Sequence, residues 1–224
     1  IGVEEYEVKN SSNTVQDITL VIPRPSLVNL QEKELKPTDQ DTVYACATPV
    51  KGHSHADFSL AGMRGVVMAS KECPDRMVIA ALETAAVKID THPSFCLNRL
   101  KQDLLLKKDG SFYEKRRPLL NQDYGAATSL TFTLEPGATI KIPFAIELDF
   151  PQQRYIDGKE FERKYVKSFK DATTRAMDMA KIALDNYQKW LSRTETICPG
   201  APLRPFAFRL LERRLLGKFL PRVA

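Results

Sequence analysis

The stretch Ala126-Ala127-Thr128-Ser129-Leu130-Thr131-Phe132-Thr133-Leu134, Glu135-Pro136-Gly137-Ala138, Thr139-Ile140-Lys141-Ile142-Pro143-Phe144-Ala145-Ile146 reads as two β-strands joined by a tight turn. Both flanks are rich in β-branched and aromatic residues, and Pro followed by Gly suits the two central positions of a turn. The two strands are expected to pair with each other. The same pattern recurs upstream. Val15 to Ile22 alternates apolar and polar, Glu5-Tyr6-Glu7-Val8 alternates too, and Asn10-Ser11-Ser12-Asn13 between them has turn chemistry. Residues 3–22 are therefore expected to form a hairpin. Pro23, Pro25 and Pro37 then open a polar loop through Gln40. Further strands are expected at Thr42 to Ala47, Gly65 to Ser70, Met77 to Leu82 and Ala85 to Ile89. Many short strands with turn signals between them predict a mainly β fold, an antiparallel β-sandwich, and not an α/β layer fold.

After Pro151 the period changes. From Ser168 to Leu191 the residues Phe169, Ala172, Ala176, Ala180, Ala183, Tyr187 and Trp190 recur at helical steps and form one apolar stripe. Lys170, Arg175, Asp178, Lys181 and Asp185 lie largely off it. Ser168 with Asp171 resembles a capping box. A C-terminal α-helix with a small-residue face is expected, packed closely on another element.

The chain has 224 residues, 43% hydrophobic and 27% charged, which is enough apolar material for a substantial core. No apolar run approaches the roughly 18 residues of a membrane span. Neither a signal peptide nor an initiator Met opens the chain, so a start inside a longer protein is expected. Cys46, Cys73, Cys96 and Cys198 are far apart and include no C-x-x-C pair, which favours free thiols and a reducing, cytoplasmic setting. The net charge of +5 is confined to the tail. Arg204, Arg209, Arg213, Arg214, Lys218 and Arg222 face one acid, Glu212, whereas Ile1 to Leu203 is balanced. A nucleic-acid module would spread charge over a folded face and interleave aromatics, so no nucleic-acid partner is expected.

Leu134-Glu135-Pro136-Gly137 followed by Ile142-Pro143-Phe144-Ala145-Ile146-Glu147-Leu148-Asp149-Phe150-Pro151 resembles the end of the N-terminal domain of the non-lysosomal glucosylceramidase (bile-acid β-glucosidase) family. Arg163, Tyr165, Phe169, Ala176, Ala180, Ala183, Leu184, Tyr187 and Trp190 match the stretch and helix that follow there, while Leu148 stands where the family usually has Trp. Upstream, Tyr6-Glu7-Val8-Lys9-Asn10 resembles a strand-then-Asn turn, and Asp109-Gly110-Ser111-Phe112 a late loop. The resemblance implies a β-sandwich over 1–150, a linker with a long helix over 151–200, and a basic amphipathic tail, or the start of a helical domain, over 201–224. It implies β-glucosidase chemistry on glucosylceramide-like or simple β-glucosides. The nucleophile and acid/base would lie in a helical catalytic domain that this stretch supports, so no catalytic, metal or cofactor-binding residue is expected here.

Several motifs invite sharper readings. Glu147 and Asp149 point to one strand face, but paired glycosidase carboxylates must flank a sugar, so a solvated face or a strand-exit contact is the plainer expectation. His53, His55 and Asp57 would share a face on a strand and offer zinc ligands, yet Gly52 and the polar setting favour a loop. Lys115-Arg116-Arg117 reads as a solvated turn. Phe206 to Leu216 is apolar and basic at helical spacing, suited to packing on another domain or to an anionic membrane. The alternative to the hydrolase part is a stand-alone interaction module docking a partner or membrane through residues 204–224. A carbohydrate-binding module would need exposed aromatics, with Tyr6, Tyr44, Tyr113 and Tyr124 as candidates.

Overall fold

In a computed structural model of the chain the described residues are 2–28, 53–95, 103–113, 125–154 and 159–197. Two compact units divide it: Ile1–Lys33 with Pro49–Tyr187, and Glu34–Thr48 with Gln188–Ala224. Of the second unit only residues 188–197, a helical stretch, are described. The expected loop end at Pro37–Gln40, the strand at Thr42–Ala47, Cys46, Cys96, Cys198, Lys115–Arg117, Tyr44, Tyr124 and the tail from Arg204 lie outside the described residues.

The first unit is an antiparallel sandwich. Strands β1 (Gly2–Lys9), β3 (His53–Leu60), β4 (Met63–Ser70), β5 (Arg76–Leu82) and β8 (Thr139–Asp149) form one sheet in the order β1-β8-β5-β4-β3. Strands β2 (Gln16–Pro25), β6 (Lys88–Phe95) and β7 (Gly125–Leu134) form the other, β2-β7-β6. A small ribbon, β9 (Gln152–Arg154) with β10 (Glu160–Glu162), follows. Then come a 3-10 turn (Lys164–Lys167) and helix α1 (Arg175–Ile197). Phe144, Ile146 and Ile79 alternate with helix-facing residues, and Leu130, Phe132 and Ile22 with residues facing the loop at 103–113, so these six meet between the sheets.

Both expected hairpins are something else. β1 pairs with β8 and β2 with β7, each across eight or more residues, so neither β1–β2 nor β7–β8 is a pair. Each connection carries the chain from one sheet to the other. The turn chemistry itself is as read: Ala138 N–H bonds to Glu135 O at 3.0 Å, and Gly137 adopts φ 76° after Pro136. Asn10 locks the two arches together. Its N–H donates to Ala138 O, its O accepts from Gly137 N–H, and its buried amide donates to Thr14 O and Leu134 O. Alternation and a Pro-Gly turn suit a hairpin and an arch equally; the arch wins because it buries the apolar faces of both strand pairs against each other.

The hairpins among the described residues include β3–β4, where Leu60 faces Met63 across Ala61-Gly62 with φ 47° and 75°, and β4–β5. His53 to Asp57, expected as a loop, thus belongs to the strand His53–Leu60. The strand expected from Ala85 begins at Lys88, because Thr84 and Val87 close a turn around Ala85-Ala86. Prolines mark where pairing stops. Pro23, Pro25 and Pro93 lie in edge strands, and β5 pairs with β8 only as far as Phe144, next to Pro143, which has no N–H to give.

Both sheets are covered on their outer faces. Over the smaller one lies the loop 103–113, whose Phe112 packs with Phe95 and Ala127. Gly110 there has φ 79°, and an added Cβ would fall 1.9 Å from Thr131 Oγ1. Over the larger sheet lies α1, whose Ala176, Ala180 and Leu184 pack on Met63, Val78, Ala80 and Ala145. Small residues let helix and sheet approach closely, and burying Leu184 alone contributes about 2 kcal/mol. The helix starts later than Ser168. Asp171 accepts the Thr173 N–H at 2.7 Å and closes a turn first, so Phe169 and Ala172 fall outside the helix, and Ser168 ends the 3-10 turn through its N–H to Tyr165 O instead of opening the helix. Trp190, expected in the buried stripe, is 41% exposed.

Candidate functional site

The densest set of buried polar groups lies where β8 ends and α1 begins. Along β8, Ala145, Glu147 and Asp149 share the face covered by the helix, since Ala145 packs with Ala176 and Ala180. Asp149 is fully buried and holds Arg175, the first residue of α1, whose Nε–H is shared between Oδ1 at 3.0 Å and Oδ2 at 2.9 Å. Tyr165, in the 3-10 turn, donates its hydroxyl to Asp149 Oδ1 at 2.8 Å. Arg76, at the start of β5 and opposite Asp149, donates to Thr173 O at 3.1 Å and ties the turn before the helix to the sheet. The 3-10 turn and the start of α1 thus converge on one carboxylate of β8, and Arg76 holds the turn between them.

The electrostatics follow from burial. Desolvation drives the Glu147 carboxyl up to about 7, and the nearby Asp149 charge adds to the rise. The Tyr165 phenol is pushed up by burial, then by its hydrogen bond to Asp149. In the β4–β5 turn, burial raises both the Asp75 carboxyl and the Cys73 thiol. A raised thiol is a poorer nucleophile at neutral pH, so this cysteine is not activated.

The expectation of a solvated face for Glu147 and Asp149 is therefore corrected. They do share a face, but that face lies beneath the helix, with Glu147 1% exposed. Arg175, read as lying off the buried stripe, is 4% exposed and is the counter-ion. Asp149 and Tyr165 carried signals in the sequence, in a D-x-P strand exit and a following tyrosine, whereas Arg175 read only as a residue off the apolar stripe. No period links them, because their spacing spans a ribbon and a turn.

The histidine motif resolves differently. His55 is buried, and its Nδ1 meets Pro93 O at 2.7 Å, so it joins the β3 edge to the β6 edge. Asp57 is exposed, and His92 stands edge-on to Phe112 at 5.1 Å on the other sheet. Among the described residues no group of three or more His, Cys, Asp or Glu could hold a metal ion. Tyr6 is no stacking platform. Its ring packs edge-on against Phe144 at 6.3 Å, and its hydroxyl joins Glu4 and Arg24 in closing the sandwich edge between β1 and β2. Burial, and then the bond to Glu4, raise that phenol. Tyr113 is 67% exposed and its N–H bonds to Leu105 O. Among the described residues no helix is long and apolar enough to cross a membrane.

Among curated proteins none matches this chain. One family model does, described as beta-glucosidase 2, glycosyl-hydrolase family 116 N-term, and it spans residues 1–190. That range takes in both sheets, the buried Asp149–Arg175–Tyr165 cluster and most of the helix packed over it. The sandwich with its capping helix is thus a member of the glycosyl-hydrolase family 116 N-terminal domain family.

Proposed function

We propose that this chain is the non-catalytic β-sandwich portion of a β-glucosidase or glucosylceramidase-like glycoside hydrolase, and that it buttresses a helical catalytic domain. Family membership over 1–190 supplies the glycosidase context. The observation that carries the supporting role is the fate of Glu147 and Asp149. The strand pair closest to a glycosidase arrangement is 1% and 0% exposed, and both face the helix that covers the sheet. A retaining pair must hold its carboxyls about 5 Å apart across a sugar, and an inverting pair needs room for a water as well. A face sealed by a packed helix admits neither. The acid and nucleophile then come from the helical partner, and α1 is the linker that leads to it.

The test is an assay of the purified chain with an aryl β-glucoside, alone and with the family's helical domain supplied separately. The chain alone should give no hydrolysis above buffer, and it should raise the helical domain's melting temperature or activity on mixing. Turnover by the chain alone, lost in Glu147→Gln, would reverse the reading. A helical domain indifferent to the chain would remove the buttressing role.

A further inference from the structure

Asn10-Ser11-Ser12 is an Asn-x-Ser acceptor sequence (a sequon) for N-linked glycosylation, and no other Asn-x-Ser or Asn-x-Thr occurs in the 224 residues. In the fold the acceptor nitrogen is spent. Asn10 is 3% exposed, and its Nδ2 donates to Thr14 O at 2.8 Å and to Leu134 O at 2.9 Å. Its Oδ1 accepts the Ser12 N–H at 2.9 Å and lies 2.8 Å from Ser12 Oγ. Glycosylation forms a bond from Nδ2 to the anomeric carbon of a polyprenyl-pyrophosphate-linked oligosaccharide. It breaks that carbon's bond to the pyrophosphate oxygen and releases the polyprenyl pyrophosphate and one amide proton. One of the two donors is then lost, and a bulky sugar is attached to a side chain that has no path to solvent. We propose that N-glycosylation of Asn10 and closure of the two arches exclude each other, so that this domain reaches its fold only where the sequon is spared.

The order of synthesis decides which event comes first. Burial protects Asn10 only once the sandwich exists, and Leu134 lies 124 residues downstream of it. Gly137 and Ala138, which bond the Asn10 backbone, come later still. At about 5–20 residues per second, Asn10 waits for these partners for on the order of 10 s. A transferase acting on the emerging chain therefore meets a solvated amide and not the buried one. The local turn gives no shelter, because Thr14 O takes one Nδ2 hydrogen and leaves the other, destined for Leu134, free until β7 arrives. A chain made where no oligosaccharide is transferred keeps both hydrogens and closes its arches. A chain exported into a glycosylating lumen is modified first and held open. The reasoning concerns the arches alone and holds whether or not the glucosidase reading does.

Cell-free translation of the intact chain tests the exclusion, once without membranes and once behind a cleavable signal peptide with endoplasmic-reticulum microsomes. The product made without membranes should resist protease. The lumenal product should carry an endoglycosidase-sensitive glycan on Asn10 and be cleaved at least about tenfold faster. Ser12→Ala removes the acceptor but keeps the backbone N–H that bonds Asn10 Oδ1, so its lumenal product should be unmodified and resistant. Where Ser12→Ala does not fold, an excess of a short acceptor peptide, which exhausts the oligosaccharide donor, should rescue the unaltered chain in the same way. Asp109→Asn added to Ser12→Ala makes an acceptor with Gly110 and Ser111 on an exposed loop and keeps the Oδ1 that accepts the Ser111 N–H. That product should be glycosylated and still resistant. Resistance despite a glycan on Asn10, an Asn10 left unmodified in the lumen, sensitivity after the glycan is prevented, or equal sensitivity with the glycan moved to residue 109 overturns the proposal.

Discussion

Strand β8 begins and ends at two buried polar clusters that work in opposite ways. At its start the arches are stapled by Asn10, a neutral side chain that donates to two backbone carbonyls and whose own backbone bonds Gly137 and Ala138. At its end Asp149 holds a helix through the charged Arg175 and the Tyr165 hydroxyl. The first cluster has no titratable group and joins two segments of sheet, so it is indifferent to pH. The second joins a helix to a sheet through ionised groups, with a further carboxyl two residues away. An amide suits a permanent joint because it needs only backbone partners. A buried ion pair gives orientation, but it exposes the joint to every charge change nearby.

Unequal mutational costs would sharpen that contrast. Asp149→Ala leaves Arg175 buried and unpaired, and should lower unfolding free energy by about 3–5 kcal/mol in urea titration. Replacing both partners, Asp149→Leu with Arg175→Met, should recover most of the loss; if it does not, the pair contributes stability and not only orientation. Asn10→Ala removes the buried donor to Leu134 O, while Thr14 O keeps Ser12 Oγ at 2.9 Å, and should cost about 1–2 kcal/mol, with no change in slope against pH. A cost that varied with pH would erase the distinction between the two ends. Gly137→Ala meets no atom within 4 Å, so only the strain of its φ of 76° opposes it, and melting should report about 1 kcal/mol. A larger loss would mean the arch tolerates less adjustment than its open surroundings suggest.

Residue chemistry made several features legible. Alternation located β1 and β2, the strands flanking the Pro136-Gly137 turn located β7 and β8, short apolar runs marked β4 and β5, and small residues at helical steps marked the face of α1 that packs. The family resemblance rested on those same residues and agrees with the match over 1–190. Partnership was not legible. Hairpins were expected at both arches because neighbouring strands with a turn between them usually pair. The start of the helix was missed because Asp171 closes a turn before the helix is established. His53 to Asp57 read as a loop because its polar residues hide a strand whose His55 meets Pro93 O across the strand's other edge.

The division has a physical basis. Side-chain alternation, turn chemistry and helical spacing are local properties of the chain, so the sequence by itself determined which segments extend, which reverse, and that Glu147 and Asp149 share a face. Which strand lies beside which, and whether a shared face meets water or a helix, depends on apolar surface contributed by segments more than 100 residues apart, as with Asn10 and Leu134. That burial is a property of the assembled sandwich, and it alone turned an apparently solvated pair of acids into the seat of a helix.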